Sequence, residues 1–156
     1  MVRAAVILLC ASRAPSSQNA PQSYAEYRAD AIVATRTAVQ AGAGAAVPLG
    51  VYVRLGIDGA LGGTFGGDDG AKLSGRVDAI GRFLLDPLRE VPVALSLGGG
   101  VSVPYAAGDA HVRPLLVAVV DVEGKMGGSI TPTLEIGLGG GARVGLVLRR
   151  SPPRWR

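Results

Sequence analysis

The sequence predicts an all-β domain, an antiparallel up-and-down meander of about six to eight strands closed into a small barrel. Three observations predict it. Glycine is abundant, with 24 of 156 residues, while Asp, Glu, Lys and Arg together make only 18%, a mix that favours strands and turns over helices. Apolar and polar residues alternate at period two through most of 28–149, as strands with two different faces require. Short runs of Gly, Pro and Asp separate the alternating stretches.

Six such stretches follow one another. In Asp30 to Val47 the odd positions carry Ala31, Val33, Thr35, Thr37, Val39, Ala41, Ala43, Ala45 and Val47, and the even ones carry Asp30, Arg36, Gln40, Gly42 and Gly44. Val51 to Thr64 sets Val51, Val53, Leu55, Ile57 and Leu61 against Tyr52, Arg54, Gly56, Asp58 and Ala60. Lys72 to Asp86 sets Leu73, Val77, Ala79, Phe83 and Leu85 against Lys72, Ser74, Arg76, Asp78, Arg82 and Asp86. Val91 to Tyr105 sets Val91, Val93, Leu95, Leu97, Val101 and Val103 against Ala94, Ser96, Gly98, Gly100 and Ser102.

The last two stretches have switched parity. Val112 to Glu123 places Val112, Leu116, Ala118, Val120 and Val122 on one face, and Arg113, Leu115, Val117, Val119, Asp121 and Glu123 on the other. Ile130 to Arg149 does the same with Ile130, Leu134, Ile136, Leu138, Val144, Leu146 and Leu148 against Thr131, Thr133, Glu135, Arg143 and Arg149. The connections at Pro48-Leu49-Gly50, Gly66 to Gly70, Asp86-Pro87, Ala107 to Asp109 and Gly124 to Gly128 are too short for parallel crossovers, so neighbouring strands are antiparallel. Closure removes the two exposed edges that an open sheet would leave.

Around this barrel domain, 28–149, the sequence predicts three further segments. Arg3 followed by the apolar run Ala4 to Ala11 and the small residues Ala11, Ser12 and Ala14 has the layout of a secretory signal peptide over 1–14. A polar N-terminal segment follows at 15–27, and a basic tail closes the chain at 150–156. Cys10, the single cysteine, excludes an intrachain disulfide; lipidation there is disfavoured by Leu9, where a small residue is wanted.

Alternation alone permits two barrels that are inverses of each other. A soluble one turns the apolar face inward around an apolar ligand, and a membrane one turns that face to lipid. Mean hydropathy is +0.34, yet no apolar run reaches the 18 residues of a spanning helix. The polar face is sparse in bulk, rich in glycine and nearly balanced in sign, with Arg far ahead of Lys. Such a face suits a narrow lumen in which charges are paired. An arginine facing lipid at midplane costs roughly 2–4 kcal/mol, so six outward arginines would exceed a domain's usual margin of about 5–15 kcal/mol. The membrane reading therefore places Arg36, Arg54, Asp58, Arg76, Asp78, Arg82, Asp121, Glu123, Glu135 and Arg143 in a lumenal charge network. It turns Val53, Leu55, Ile57, Val77, Phe83, Val93, Leu95, Leu116, Val120, Leu134, Ile136, Leu138 and Leu146 to lipid.

On this pattern of export-like start, amphipathic strands and lumenal Arg with Asp or Glu, the stretch from Tyr27 to Arg149 resembles small bacterial outer-membrane β-barrel proteins of the OmpA/OmpX type. The resemblance implies eight strands, membrane lipid as surroundings, the outer-membrane assembly machinery as partner, and a structural or surface-interaction role. Aromatic residues are few, and the end of the chain lacks that family's terminal aromatic assembly signal, although Trp155 lies close by. Oligomerisation is left open.

Chemistry is weakly signalled. His111 is the single histidine, so no Cys/His metal cluster is expected. Ser96, Ser102, His111 and Asp121 are the only nominees for an acyl-transfer set, and no enzymatic activity is expected. Gly98-Gly99-Gly100 and Gly139-Gly140-Gly141 lack the Lys-Ser/Thr of a phosphate loop. Asp68-Asp69 offers too few oxygens for calcium. No cofactor is expected. The net charge of +4 and pI near 9.7 come from scattered basic residues without interleaved aromatics, which argues against nucleic acid.

Overall fold

The computed structural model describes residues 23–66, 70–86, 93–108, 113–124 and 129–150. Eight strands run in sequence order, β1 (Tyr24–Val33), β2 (Thr37–Pro48), β3 (Val53–Phe65), β4 (Lys72–Leu84), β5 (Ala94–Ala106), β6 (Leu115–Glu123), β7 (Ile130–Leu138) and β8 (Ala142–Arg150). Each pairs antiparallel with the next, and β1 pairs with β8 to close the barrel. Among the described residues there is no helix.

Partners can be followed around the wall from Tyr24 through Ala46, Gly56, Ile80, Gly100 and Val117. Carried on in the same register through the β7–β8 turn, the path returns to β1 at Ala34, ten residues further along. Eight strands with that stagger lean about 40° from the barrel axis and leave an interior just wide enough for side chains.

The count of eight corrects the six stretches read from the sequence. The first and last stretches each contain a turn, Ala34 to Arg36 and Gly139 to Gly141, closed by the pairs Val33↔Thr37 and Leu138↔Ala142. Both turns have three residues, and an odd-length turn leaves the in–out parity unchanged. The alternation therefore ran through them without a break. Gly140, at φ 73, takes the left-handed conformation that lets the second turn be so tight. The boundaries move as well: β1 begins at Tyr24 rather than at Arg28, and Arg150 belongs to β8 rather than to the tail. The signal-peptide segment, Cys10, the Asp68-Asp69 loop, Val91, His111, Val112 and the end of the chain from 151 lie outside the described residues.

Side-chain orientation follows parity around the whole wall. The outward positions of the eight strands carry aliphatic, aromatic, alanine and glycine residues, with Thr37, Pro132 and Arg150 as the other residue types. Arg150, at the very end of β8, is the one charge among them. Ile57 is 61% exposed, Leu61 68% and Leu116 84%. Fully buried positions, by contrast, include Glu26, Asp78, Asp121 and Glu135, each at 0%. The inverse barrel, with an apolar interior and charged exterior, is not the one this chain adopts.

Candidate functional site

The lumen is filled by ion pairs in three tiers between the end where β1 begins and β8 ends, called the termini end below, and the opposite end. They exist because the even positions of β1 to β4 and the odd positions of β6 to β8 all point inward. Among the described residues six buried arginines (Arg28, Arg54, Arg76, Arg82, Arg143, Arg149) meet seven buried carboxylates (Glu26, Asp30, Asp58, Asp78, Asp121, Glu123, Glu135). Charges so deeply buried persist only when paired and hydrogen-bonded.

In the tier nearest the termini, Arg149 donates through Nε to Glu26 at 2.9 Å and through Nη2 to Asp121 at 2.6 Å, and also contacts Glu123. Arg54 reaches the same Glu123 at 3.0 Å. The Tyr24 ring lies beneath both guanidiniums, with Cζ of Arg54 at 5.2 Å and of Arg149 at 5.5 Å from its centroid. Each such cation–π contact contributes about 0.5–2 kcal/mol, more when desolvated.

The middle tier centres on Glu135. Its carboxylate accepts from Arg82 at 2.7 Å and faces Arg143 at 2.7 Å, with Arg28 as a third partner. Arg82 also lies 2.9 Å from Asp121, so it ties this tier to the first. Arg28 spans Asp30 at 2.9 Å and Asp58 at 2.7 Å. Space for these long side chains comes from inward glycines. A Cβ on Gly98 would sit 3.1 Å from Cγ of Arg82, and one on Gly145 would sit 2.0 Å from Oδ1 of Asp30.

The third tier holds Asp78 between Arg76 at 2.9 Å and Arg143 at 2.6 Å. Arg76 further contacts Asp30 and the Gln40 side-chain carbonyl, and Gln40 donates to Ser74 at 3.1 Å. The small apolar cluster Ile80, Val117 and Val119 fills the side of the lumen left by the charges. Above this tier, away from the termini, the lumen opens into a cavity of about 270 Å³.

Of the lumenal residues named from the sequence, Arg54, Asp58, Arg76, Asp78, Arg82, Asp121, Glu123, Glu135 and Arg143 are buried in these tiers. Arg36 is not on a strand; it lies half-buried in the β1–β2 turn at the mouth. Glu26, Arg28, Asp30 and Arg149 complete the network. Asp30 and Arg149 stand on the polar faces of the first and last stretches; Arg28 and Glu26 continue the Asp30 alternation backwards, ahead of the first stretch, and Glu26 lies before the barrel's expected start at 28. The outward set (Val53, Leu55, Ile57, Val77, Phe83, Val93, Leu95, Leu116, Val120, Leu134, Ile136, Leu138, Leu146) is exposed on the outer surface, from 36% for Val53 upward.

Among the described residues the two serines nominated from the sequence stand apart from each other. Ser96 donates to Asp121 at 3.3 Å, a carboxylate already engaged by Arg82 and Arg149, while Ser102 stands six positions further along the same strand, about 20 Å away. Among the described residues no group of acidic, His or Cys side chains is arranged to hold a metal ion. Comparison of the chain with protein-family models and with curated protein sequences found no match to either.

Proposed function

We propose that this chain is an integral β-barrel of a bacterial outer membrane, non-enzymatic, with a lumen plugged by its own ion pairs. The observation that carries the proposal is the outer wall. Across eight strands it bears one charged residue, Arg150, at its edge. A wall of aliphatic side chains in water would be a very large exposed apolar patch, far beyond the few hundred Å² usual for soluble monomers. In a bilayer the same wall is solvated, and the buried charges face away from hydrocarbon.

Two further features support this reading. Strands of 9 to 13 residues match the roughly 9–11 tilted residues that cross a hydrocarbon core. Among the described residues the five outward aromatics lie towards the two ends of the barrel: Tyr27, Tyr52 and Phe83 nearer the end where β1 begins, Phe65 and Tyr105 at the other. Tyr52 and Phe83 stack with centroids 5.9 Å apart. Aromatic rings at the two rims are the expected anchors at membrane interfaces. The plugged lumen makes the role structural, or one of contact through the rims, rather than conduction.

The test is fractionation of expressing bacteria, with the urea-washed membrane fraction run on a gel boiled and unboiled. Retention in that fraction with a mobility change on boiling is the expected result. Recovery of the folded chain from the soluble fraction overturns the proposal.

A further inference from the structure

The cavity at the end opposite the termini is unlike the lumen below it. Among the described residues lining it there are four arginines, Arg36, Arg76, Arg113 and Arg143, and no carboxylate. Ser74, Ser102 and Gln40 add neutral polar groups to its lower part. Arg76 and Arg143 form the floor, with their counter-ions Asp30 and Asp78 behind them in the third tier. Arg143, 2% exposed and also paired with Glu135, has an Nε that makes no hydrogen bond among the described residues, Oδ1 of Asp30 lying 3.9 Å away. A buried donor of that kind carries a desolvation cost unless something accepts from it.

The wall above the floor is apolar and is lowest on one side. β6 pairs with β5 up to Leu115, but its pairing with β7 stops at Ala118. Leu115 to Val117 thus lie beside the β7–β8 turn instead of a strand. Gly139 and Gly140 of that turn line both the cavity and a groove on the outer wall next to Leu116 and Leu138. The mouth therefore joins a cationic floor to an apolar notch that faces the barrel's exterior.

We propose that this cup binds a medium-chain aliphatic carboxylate, its anionic head on the Arg76–Arg143 floor and its chain along the notch at Leu115, Gly139 and Gly140. A volume of about 270 Å³ holds about nine water-sized groups, which fits a chain of about eight carbons. Inorganic anions fill only the floor, and alkylammonium ions carry the wrong sign. The proposal concerns the cup and not the surroundings of the outer wall; a chain that folds without inserting is titrated in buffer instead of nanodiscs, so failure of the cup and failure of membrane insertion are read separately.

The test uses carboxyl-¹³C octanoate titrated onto the folded barrel in zwitterionic nanodiscs, with protein-free nanodiscs subtracted. Saturable binding that weakens with salt is expected, displaced by decanoate but not by octylammonium or inorganic phosphate. Arg113→Glu reverses an exposed charge ahead of β6 and is expected to weaken binding roughly fivefold to tenfold. Ala106→Trp, at a half-buried lining position, is expected to abolish it by filling the cup. The folded gel band is checked for each variant, and Arg113→Glu decides alone if Ala106→Trp does not fold. A signal equal to that of protein-free nanodiscs, equal displacement by phosphate or octylammonium, or unchanged affinity in Arg113→Glu overturns the proposal.

Discussion

Replacing Arg82 by leucine removes the side chain that joins two tiers of the lumen. Its guanidinium, 1% exposed, donates to Glu135 at 2.7 Å, lies 2.9 Å from Asp121 and faces Glu26 at 3.9 Å. Leucine restores none of these contacts and turns a near balance of six buried cations and seven carboxylates into five against seven. Breaking a buried pair from one side costs about 3–5 kcal/mol, because the charge left behind has lost its partner. Glu135 keeps Arg28 and Arg143, and Asp121 keeps Arg149, which places Arg82→Leu near the lower end of that range. The double variant Arg82→Leu/Asp121→Leu removes one charge of each sign and recovers part of the loss. Arg82→Lys falls between parent and leucine, since an ammonium cannot address three carboxylates with a planar fork. The assay is equilibrium unfolding in urea from lipid vesicles, scored by the heat-modifiable gel band. A parental unfolding midpoint for Arg82→Leu would refute the claim that these pairs hold the barrel, because a lumen that leaves Glu135 and Asp121 equally stable without Arg82 is open to water.

Ile57→Arg, at an outward position with 61% exposure, should lower stability in vesicles by about 2–4 kcal/mol; unchanged stability would mean that this face meets water. Gly145→Ala places a Cβ 2.0 Å from Oδ1 of Asp30, a carboxylate held by Arg28 and Arg76, so a loss of about 1–3 kcal/mol is expected by the same unfolding assay. Gly50→Ala, in the β2–β3 connection at φ 106 with open space around it, should cost only about 1 kcal/mol through backbone strain alone. In planar bilayers at high salt the parent barrel should give no stepwise conductance, and regular single-channel steps would contradict the plugged lumen.

The sequence exposed the wall and most of its contents but not the number of strands. Val51 to Thr64 could be read residue by residue, because five outward aliphatics face Arg54 and Asp58 across a clean alternation. The turns at Ala34 to Arg36 and Gly139 to Gly141 were invisible for a geometric reason: three residues preserve parity, and the first turn has no glycine or proline to mark it. The five-residue step from Pro48 to Arg54 preserves parity too, yet Pro48 and Gly50 betray it. Which carboxylate each arginine meets was out of reach, since Arg28 with Glu135 or Arg149 with Glu26 depends on closure between strands far apart in sequence. The cup was equally hidden: it arises where β7 ends short of β6, a matter of register that alternation does not encode.

The same charges that fill the lumen also fix the register of its wall. Slipping one strand by a single residue exchanges its two faces. For β4 that slip would carry Arg76 and Arg82 outward and bury Leu73, Val77 and Phe83 in their place. If the wall lies in a bilayer, as proposed, each arginine turned to lipid costs roughly 2–4 kcal/mol, which would put the slipped state about 4–8 kcal/mol higher before the abandoned carboxylates are considered. That penalty is comparable with the whole stability of an ordinary domain. An apolar lumen within an apolar exterior would carry no such penalty, since either face could then point to lipid. Alanine- and glycine-rich strands such as β2 need the protection most, because Ala41, Ala43 and Ala45 outside and Gly42 and Gly44 inside differ little in size or polarity. Their register is set instead by the turns at either end and by neighbours that carry arginines: β1 through Arg28↔Gly42 and β3 through Pro48↔Arg54. The ion pairs thus act as a positional code, and charge-neutral replacement of Arg28 with Asp58 should loosen β2 before any other strand, which hydrogen exchange of the β2 amides will register.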